Sequence, residues 1–177
     1  VPHWNPEQID YGTAIAWKTE LLRKSYVHFK ASTDKELLDS YDTFCEKYAY
    51  WLDDYALFMA LKNLHEGQSW TNWEEKYKFI KPRTRTIVSK ECAEDINYYK
   101  FVQFIFMKQW TELKTYANEN GIKIIGDIPI FVSPDSADVW ANKHLFQLDS
   151  KGYPLAVAGV PPDYFSATGQ LWGNPLY

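Results

Sequence analysis

A helical pattern that ends in Asn120-Gly121 and leads directly into a β-branched run is the feature that most constrains the fold of this chain. Residues 93–119 are dense in apolar side chains and predict a helix that is buried on most sides. Gly121 can close such a helix, because a residue without a side chain enters the left-handed backbone region freely. Residues 122–132 then predict a buried strand. Helix, glycine and apolar strand form the repeating unit of parallel α/β folds, so we expect a helix-rich α/β protein.

The first part of the chain predicts helices. Residues 11–29 have the spacing of an amphipathic helix, and Asp39-Ser40 is the expected cap of a longer helix that ends at Gly67. An aromatic stripe at helical spacing could line a ligand groove, but such a stripe is more typical of a core. Its members are Tyr41, Phe44, Cys45, Tyr48, Trp51, Leu52, Tyr55, Phe58 and Met59. Residues 68–92 are expected to form an irregular connection whose basic cluster, 81–85, faces solvent.

Charge and cysteine usage exclude several classes of protein. A net charge of -4 disfavours nucleic-acid binding, which requires clustered cations. The two cysteines, Cys45 and Cys92, are too few for a disulfide framework and suit a reduced, cytoplasmic setting. The most apolar run, 101–107, is too short to cross a bilayer, so no membrane partner is expected. The chain begins with Val1 and stops in a loop-like segment, so the sequence predicts a fragment of a longer protein.

Asp127 is the first candidate for chemistry. It lies at the end of the predicted strand 122–132, where polar side chains of parallel folds face the ligand crevice. Its isoleucine neighbours predict burial, and a buried carboxylate needs partners. Asp127 is therefore expected either to hold neighbouring loops by hydrogen bonds or to face a substrate.

The remaining acidic residues and the histidines give no metal signal. The spacing of the aspartates between residues 135 and 163 lacks the alternating oxygen donors of a calcium loop. Asp135-Ser136-Ala137-Asp138 instead predicts a helix start, with a carboxylate that caps free backbone N–H groups. The four histidines lack zinc spacing, and a phosphate-binding glycine loop is also missing from the sequence.

The segment 159–177 combines turn residues, which favour the protein surface, with aromatic residues. Pro161-Pro162 stiffens the backbone, and Gly169 and Gly173 permit sharp turns, so we expect a loop that holds its shape without a hydrogen-bonded ladder. Rigid ring faces beside amide and carboxylate groups suit a sugar, whose C–H face lies on a ring while its hydroxyls need donors and acceptors. The alternative is a loop whose aromatic side chains pack inward against one another and bind no ligand.

Several segments of the chain together resemble a known family. They are Gly126–Val132, Asp135–Trp140, Phe146–Asp149 and Gly159–Tyr177, and less distinctively the helical segments Trp51–Phe58 and Trp70–Trp73. In these segments the chain is similar to the 4-α-glucanotransferases of the α-amylase clan, called amylomaltases or disproportionating enzymes.

The resemblance implies a partial (β/α)8 barrel with a mainly helical inserted subdomain. Residues 1–92 would form the inserted subdomain, and residues 93–177 an incomplete barrel segment. It also implies transfer of α-1,4-glucan segments between maltooligosaccharides by a retaining double displacement, without a cofactor. The family's catalytic carboxylates are expected beyond Tyr177, so this chain would hold no catalytic residue and would be inactive by itself.

The resemblance also implies that part of this chain forms a lid over the acceptor side of the active site and contacts the substrate there. The residues implied as substrate-binding are Asp127, Asp163, Tyr164, Phe165, Gln170, Trp172 and Asn174. The expected partner is an α-1,4-glucan or maltooligosaccharide, and self-association of an isolated barrel piece is a further expectation. Two alternatives stay open, a non-catalytic glucan-binding module and a helical interaction domain.

Overall fold

The computed structural model describes residue 5 and residues 7–177 of the chain, and it is dominated by helices. His3, one of the histidines weighed for zinc, lies outside the described residues. The α-helices are α1 (Tyr11–Lys30), α2 (Lys35–Leu64), α3 (Glu75–Lys78), α4 (Pro82–Glu91), α5 (Ala93–Glu119) and α6 (Ala137–Ala141). Short 3-10 helices span Trp70–Asn72 and Lys143–Leu145, and strands β1 (Val157–Val160) and β2 (Gln170–Pro175) form one two-stranded sheet.

Helix α2 begins earlier than the sequence predicted. The Asp34 carboxylate accepts a hydrogen bond from the Leu37 N–H at 3.1 Å and is the cap of this helix. Asp39 and Ser40 therefore lie inside α2, and the prediction that they cap it is wrong. Asp34 offers the same capping chemistry as Asp39, and the good helix formers at 35–38 let the helix start there.

Residues 82–91 form helix α4, where the sequence predicted an irregular connection. Pro82 stands at the start of the helix, the position at which its fixed φ and missing N–H cause no loss. Val88 is the buried residue of α4, so the apolar periodicity that would have revealed the helix is weak. Arg85 of the predicted basic cluster pairs with Asp54 at 2.6 Å rather than remaining free in solvent.

The core is built mainly by α2. Its aromatic stripe is largely core, as interpreted, with Phe44, Leu52 and Phe58 buried, while Trp51 and Tyr55 are half-buried. The largest cluster joins the C-terminal half of α2 to Trp70, Trp73, Val88, Val139 and Trp140. Helix α5 packs against both α2 and α1. The division of the chain at 92/93 stays a prediction.

Helix α5 has the predicted bounds but not the predicted burial. Tyr98, Phe101 and Phe104 are buried in its first half. The second half exposes its large apolar side chains, namely Phe106, Trp110, Leu113 and Tyr116. The expectation of a helix buried on most sides is thus wrong for this half, because the described residues do not cover it.

The predicted strand at 122–132 has no regular secondary structure. Gly121 closes α5 as expected, with φ +76° and an Ile122 N–H that donates to the Ala117 carbonyl at 2.9 Å. Beyond it, Ile125 is 94% exposed. A strand requires a neighbouring strand to complete its ladder, and the described residues supply none beside this segment.

Asp135 fastens the segment before α6 to α2. Its carboxylate accepts the Trp70 N–H at 3.1 Å and the Lys62 ammonium at 2.6 Å. The predicted helix start is confirmed at Ala137, but the capping side chain is that of Ser136, whose Oγ accepts the Val139 N–H at 3.3 Å. The acidic residue thus serves tertiary contact rather than the cap.

Candidate functional site

The aromatic segment near the end of the chain is an antiparallel hairpin, which we define as residues 157–175. Strands β1 and β2 pair Val160 with Gln170 and Gly159 with Leu171. The expectation of a loop without a hydrogen-bonded ladder is therefore wrong for its two flanks. Gly159 allows the pairing, since a Cβ at this position would lie 2.7 Å from the Gln170 carbonyl oxygen.

The hairpin tip, residues 161–169, is shaped by its own hydrogen bonds. The Asp163 carboxylate accepts the N–H groups of Phe165 at 2.9 Å and Ser166 at 2.8 Å. The Ser166 hydroxyl donates to the Gly169 carbonyl at 2.7 Å. Gly169 has φ +76°, and a Cβ there would lie 2.5 Å from the Val160 carbonyl oxygen, so the turn requires glycine.

This framework presents two aromatic rings to solvent. Tyr164 is 97% exposed and Phe165 is 87% exposed. Their centroids are 5.6 Å apart with an interplanar angle of 88°, so the rings offer two perpendicular faces. The alternative in which the aromatic side chains pack inward is not observed for these two rings. Adjacent exposed rings on a hydrogen-bonded turn are typical of a contact surface.

The base of the hairpin uses the other predicted site residues as structural contacts. The Asn174 amide donates to the Val132 carbonyl at 2.8 Å and thereby ties β2 to the segment after Asp127. Gln170 accepts the Trp172 indole N–H at 3.0 Å, and the Trp172 ring meets Phe131 edge to face with centroids 6.0 Å apart. Trp172 keeps 44% of its surface exposed.

Asp127 does not have the predicted surroundings. Its carboxylate accepts the N–H of the adjacent Ile128 at 2.9 Å and is exposed, as are Ile125 and Ile128. The expectation of burial among isoleucines is wrong in this chain, because 122–130 lies outside regular structure. Phe131 and Val132 nevertheless contact β2, and these contacts connect the segment that contains Asp127 to the base of the hairpin.

The structure adds residues that sequence reasoning missed. Ser166 fixes the tip, and the Phe131 ring contacts those of Trp172 and Tyr177, with centroids 6.0 and 6.3 Å away. The spacing of Asp163 and Ser166 is an aspartate-turn signal that could have identified the first of these roles. The ring contacts of Phe131 join distant parts of the chain, so local sequence gave no sign of them.

The described part of the chain offers neither a metal-binding cluster nor a membrane-spanning helix. Residues 5 and 7–177 contain no cluster of three or more His, Cys, Asp or Glu side chains that could hold an ion. Within the same residues, no helix combines the length and the apolar character that crossing a bilayer demands.

We expect Asp163→Ala to loosen the hairpin tip. The amides of Phe165 and Ser166 lose their charged acceptor, and we expect their hydrogen exchange to accelerate about tenfold, since a hydrogen bond to a charged group contributes roughly 1.5 kcal/mol. Asp163→Asn is the matched control, because its amide oxygen can accept the same N–H groups. Exchange rates measured by NMR that are equal in wild type and Asp163→Ala would contradict the assignment.

The fold and the site define a helical protein that presents a hydrogen-bonded hairpin with outward aromatic rings as a contact surface. Comparison with known protein families identifies the class of protein, since the family model described as 4-alpha-glucanotransferase matches residues 2–177. The chain belongs to the 4-alpha-glucanotransferase family.

Curated relatives carry the same description. The chain is 44% identical to a 4-alpha-glucanotransferase of Synechocystis over 177 residues, which is 99% of this chain and 35% of the relative. It is 45% identical to that of Thermus thermophilus over 176 residues, again 99% of this chain and 35% of the relative. The chain thus spans about a third of the length of these relatives.

A solved structure shows the same fold for the matched part. An amylomaltase from Streptococcus agalactiae in complex with acarbose superposes with a TM-score of 0.90 at 38% identity. The match covers 99% of this chain and 35% of that one. The helix-rich arrangement is therefore that of the corresponding part of an amylomaltase.

Proposed function

We propose that this chain is the glucan-contacting part of a 4-α-glucanotransferase, which transfers α-1,4-glucan segments between maltooligosaccharides. The observation that carries the proposal is the pair Tyr164 and Phe165, 97% and 87% exposed on a tip that hydrogen bonds hold in shape. Family membership and the acarbose complex of the similar amylomaltase support the choice of ligand.

The geometry of the tip suits a pyranose ring. One face of a glucose unit is apolar and can lie on either of the two perpendicular rings, while its hydroxyls need polar partners. Gln170 uses its carbonyl oxygen to accept the Trp172 indole N–H, so its NH2 group is free to donate. In this proposal Tyr164 and Phe165 contact the glucan directly, and Trp172 with Gln170 forms the wall beside them.

Two of the expected contact residues act differently in the proposal. Asp163 shapes the tip, because its carboxylate oxygen Oδ1 accepts the N–H groups of Phe165 and Ser166. Asn174 anchors β2 to Val132. Both are positioning residues here, and they affect the glucan through the rings they hold in place. Contact of Asp127 with the substrate stays a prediction.

The tip would favour transfer over hydrolysis. In a retaining double displacement, a covalent glycosyl-enzyme is attacked either by a sugar hydroxyl or by water. Exposed rings that lie over a bound acceptor exclude water and hold the sugar in its place. The catalytic carboxylates of this reaction are expected outside this chain, so the chain's own contribution is binding and exclusion of water.

The proposal includes the barrel and the cellular setting. The exposed isoleucines of 122–130 are the side chains that a barrel strand would bury, so we propose that this segment is a strand of a (β/α)8 barrel in the complete enzyme. The division into an inserted helical part, 1–92, and a barrel part, 93–177, belongs to the same proposal. Two free cysteines support a reduced, cytoplasmic location.

Replacing both tip rings tests the proposal. In a full-length enzyme that carries this sequence, Tyr164→Ala with Phe165→Ala should raise the acceptor KM about tenfold and lower the ratio of transfer to hydrolysis, since ring contacts contribute about 0.5–1.5 kcal/mol each. Maltotriose is the substrate, and the products are longer oligosaccharides and glucose. Tyr11→Ala, which removes a 68% exposed tyrosine of α1, is the matched control.

The same assay separates the alternatives. Unchanged acceptor KM and product ratio in the double variant would refute the tip as the acceptor contact. Binding of maltotriose without longer products would instead support a non-catalytic glucan-binding module. Self-association stays a prediction, and the exposed apolar side chains on the second half of α5 are the surface that would cause it.

A further inference from the structure

A small cleft between α2 and α6 has the side-chain chemistry of a sugar site and contains no residue of the hairpin. Its volume is about 110 Å³. Tyr50, Trp51 and Tyr55 line it from α2, and Asp138 and Asn142 line it from α6 and the residue after it. We call it the α2–α6 cleft. Such a volume is below the range of about 300–1,000 Å³ for drug-sized ligands and below the roughly 150 Å³ that encloses a benzene ring, so at most one sugar ring enters it, with part of that ring left in solvent.

The α2 wall of the cleft is aromatic and firmly held. The rings of Trp51 and Tyr55 lie 6.1 Å apart at an angle of 61°. The Tyr55 hydroxyl accepts the Gln103 amide at 3.2 Å, which fixes its ring against α5. Tyr50, by contrast, is 81% exposed, so its ring contributes little to the core and is available to a ligand.

The α6 wall provides hydrogen-bonding groups that the fold does not use. Among the described residues, the side chains of Asp138 and Asn142 take part in no hydrogen bond or ion pair. The Asn142 N–H donates to the Asp138 carbonyl at 2.9 Å, so the backbone holds the two residues one helical turn apart. A carboxylate and an amide at this spacing can accept from and donate to the hydroxyls on one edge of a sugar.

Charge argues for a neutral ligand. Asp54 also lines the cleft, but its carboxylate is paired with Arg85 at 2.6 Å. The unpaired Asp138 would repel an anion. Aromatic faces, a free carboxylate and a free amide together match a neutral hexose better than a phosphate or a carboxylate.

We propose that the α2–α6 cleft binds one glucose unit at the end of an α-1,4-glucan, as a second site apart from the hairpin. The geometry by itself requires only a neutral hexose ring, and the choice of a glucan rests on the proposed function. The exposed ring of Tyr50 covers the apolar face of the sugar, and Asp138 and Asn142 bind its hydroxyls.

An NMR titration of this chain with maltose and with maltotriose tests the second site. The Asn142 side-chain amide and the Trp51 indole signals should shift with each sugar. The two affinities should agree within about twofold, because only a terminal ring enters. Tyr50→Ala should weaken the binding at these signals about tenfold, as the loss of one aromatic contact predicts. Tyr11→Ala, at 68% exposure, is the control and should leave the binding unchanged.

The outcomes distinguish this inference from the proposed function. Shifts at residues 163–166 without shifts at Asn142 and Trp51, at millimolar sugar, would overturn the second site and leave the hairpin proposal standing. The second site would be supported, and the hairpin proposal weakened, if sugar shifts the Asn142 and Trp51 signals, Tyr50→Ala weakens this binding, and the signals of residues 163–166 do not shift. Equal binding by wild type and Tyr50→Ala, or no shift at either site, would overturn the second site.

Discussion

Gly152→Ala is expected to lower the free energy of unfolding by about 3 kcal/mol, the sum of a backbone and a packing effect. Gly152 has φ +91°, where an L-residue is strained. A Cβ there would lie 2.4 Å from Cη2 of Trp70. That ring is fully buried, and its indole N–H donates to the Pro134 carbonyl at 2.8 Å, so it cannot move aside without further loss. Urea denaturation measures the effect.

Gly121→Ala separates the two contributions. Gly121 has φ +76°, and nothing lies within 4 Å of the position of an added Cβ. This variant keeps the backbone strain without the clash, and we expect it to cost about 1 kcal/mol. The difference between the two variants is the cost of the contact with Trp70. Equal losses in both would show that Trp70 does not constrain this turn.

Asp135→Ala is expected to lower the free energy of unfolding by about 2–3 kcal/mol. The change leaves the Trp70 N–H without its acceptor at 3.1 Å and the Lys62 ammonium without its anion at 2.6 Å. Lys62 is only 16% exposed, so water replaces the lost partner poorly. Its other bonds, to the carbonyls of Gly67 and Gln68, limit the loss.

Two controls divide this loss into its parts. Asp135→Asn keeps an acceptor for the Trp70 N–H and removes only the charge, so we expect about half of the effect. Glu20→Ala removes the exposed pair with Lys24, whose side chains are 64% and 68% exposed, and should cost less than about 0.5 kcal/mol. A loss at Asp135→Ala no larger than at Glu20→Ala would mean that Asp135 does not hold the segment before α6 to α2.

The helices that local signals predict well are those with a strong apolar period and a glycine at the end. Helix α5 has its predicted bounds, and the Ile122 N–H bond to Ala117 confirms the closure at Gly121. Helix α4 was not predicted, because Val88 is its one buried residue and the apolar periodicity of its sequence is therefore weak. The start of α2 was misplaced because Asp34 and Asp39 carry the same capping group, and only the folded backbone distinguishes them.

For the candidate site, the sequence selected rings that the structure exposes, but it did not show how they are held. Tyr164 and Phe165 were expected to contact a ligand and are exposed as that role requires. The pairing of β1 with β2 depends on the close approach of Gly159 to the Gln170 carbonyl, which local propensity does not report. Asp163 accepts backbone N–H groups of the tip, and its expected contact with a substrate stays a prediction.

The sequence by itself determined the helix-rich composition, the closure of α5 and the turn residues of the hairpin tip. These follow from side-chain spacing and from the backbone freedom of glycine, which neighbouring residues fix locally. Only the tertiary structure decided that Asp135 meets Trp70, that Asn174 meets Val132, and that Tyr50 lies across a cleft from Asn142. Each of these pairs joins residues far apart in the chain, and their meeting depends on how whole helices pack.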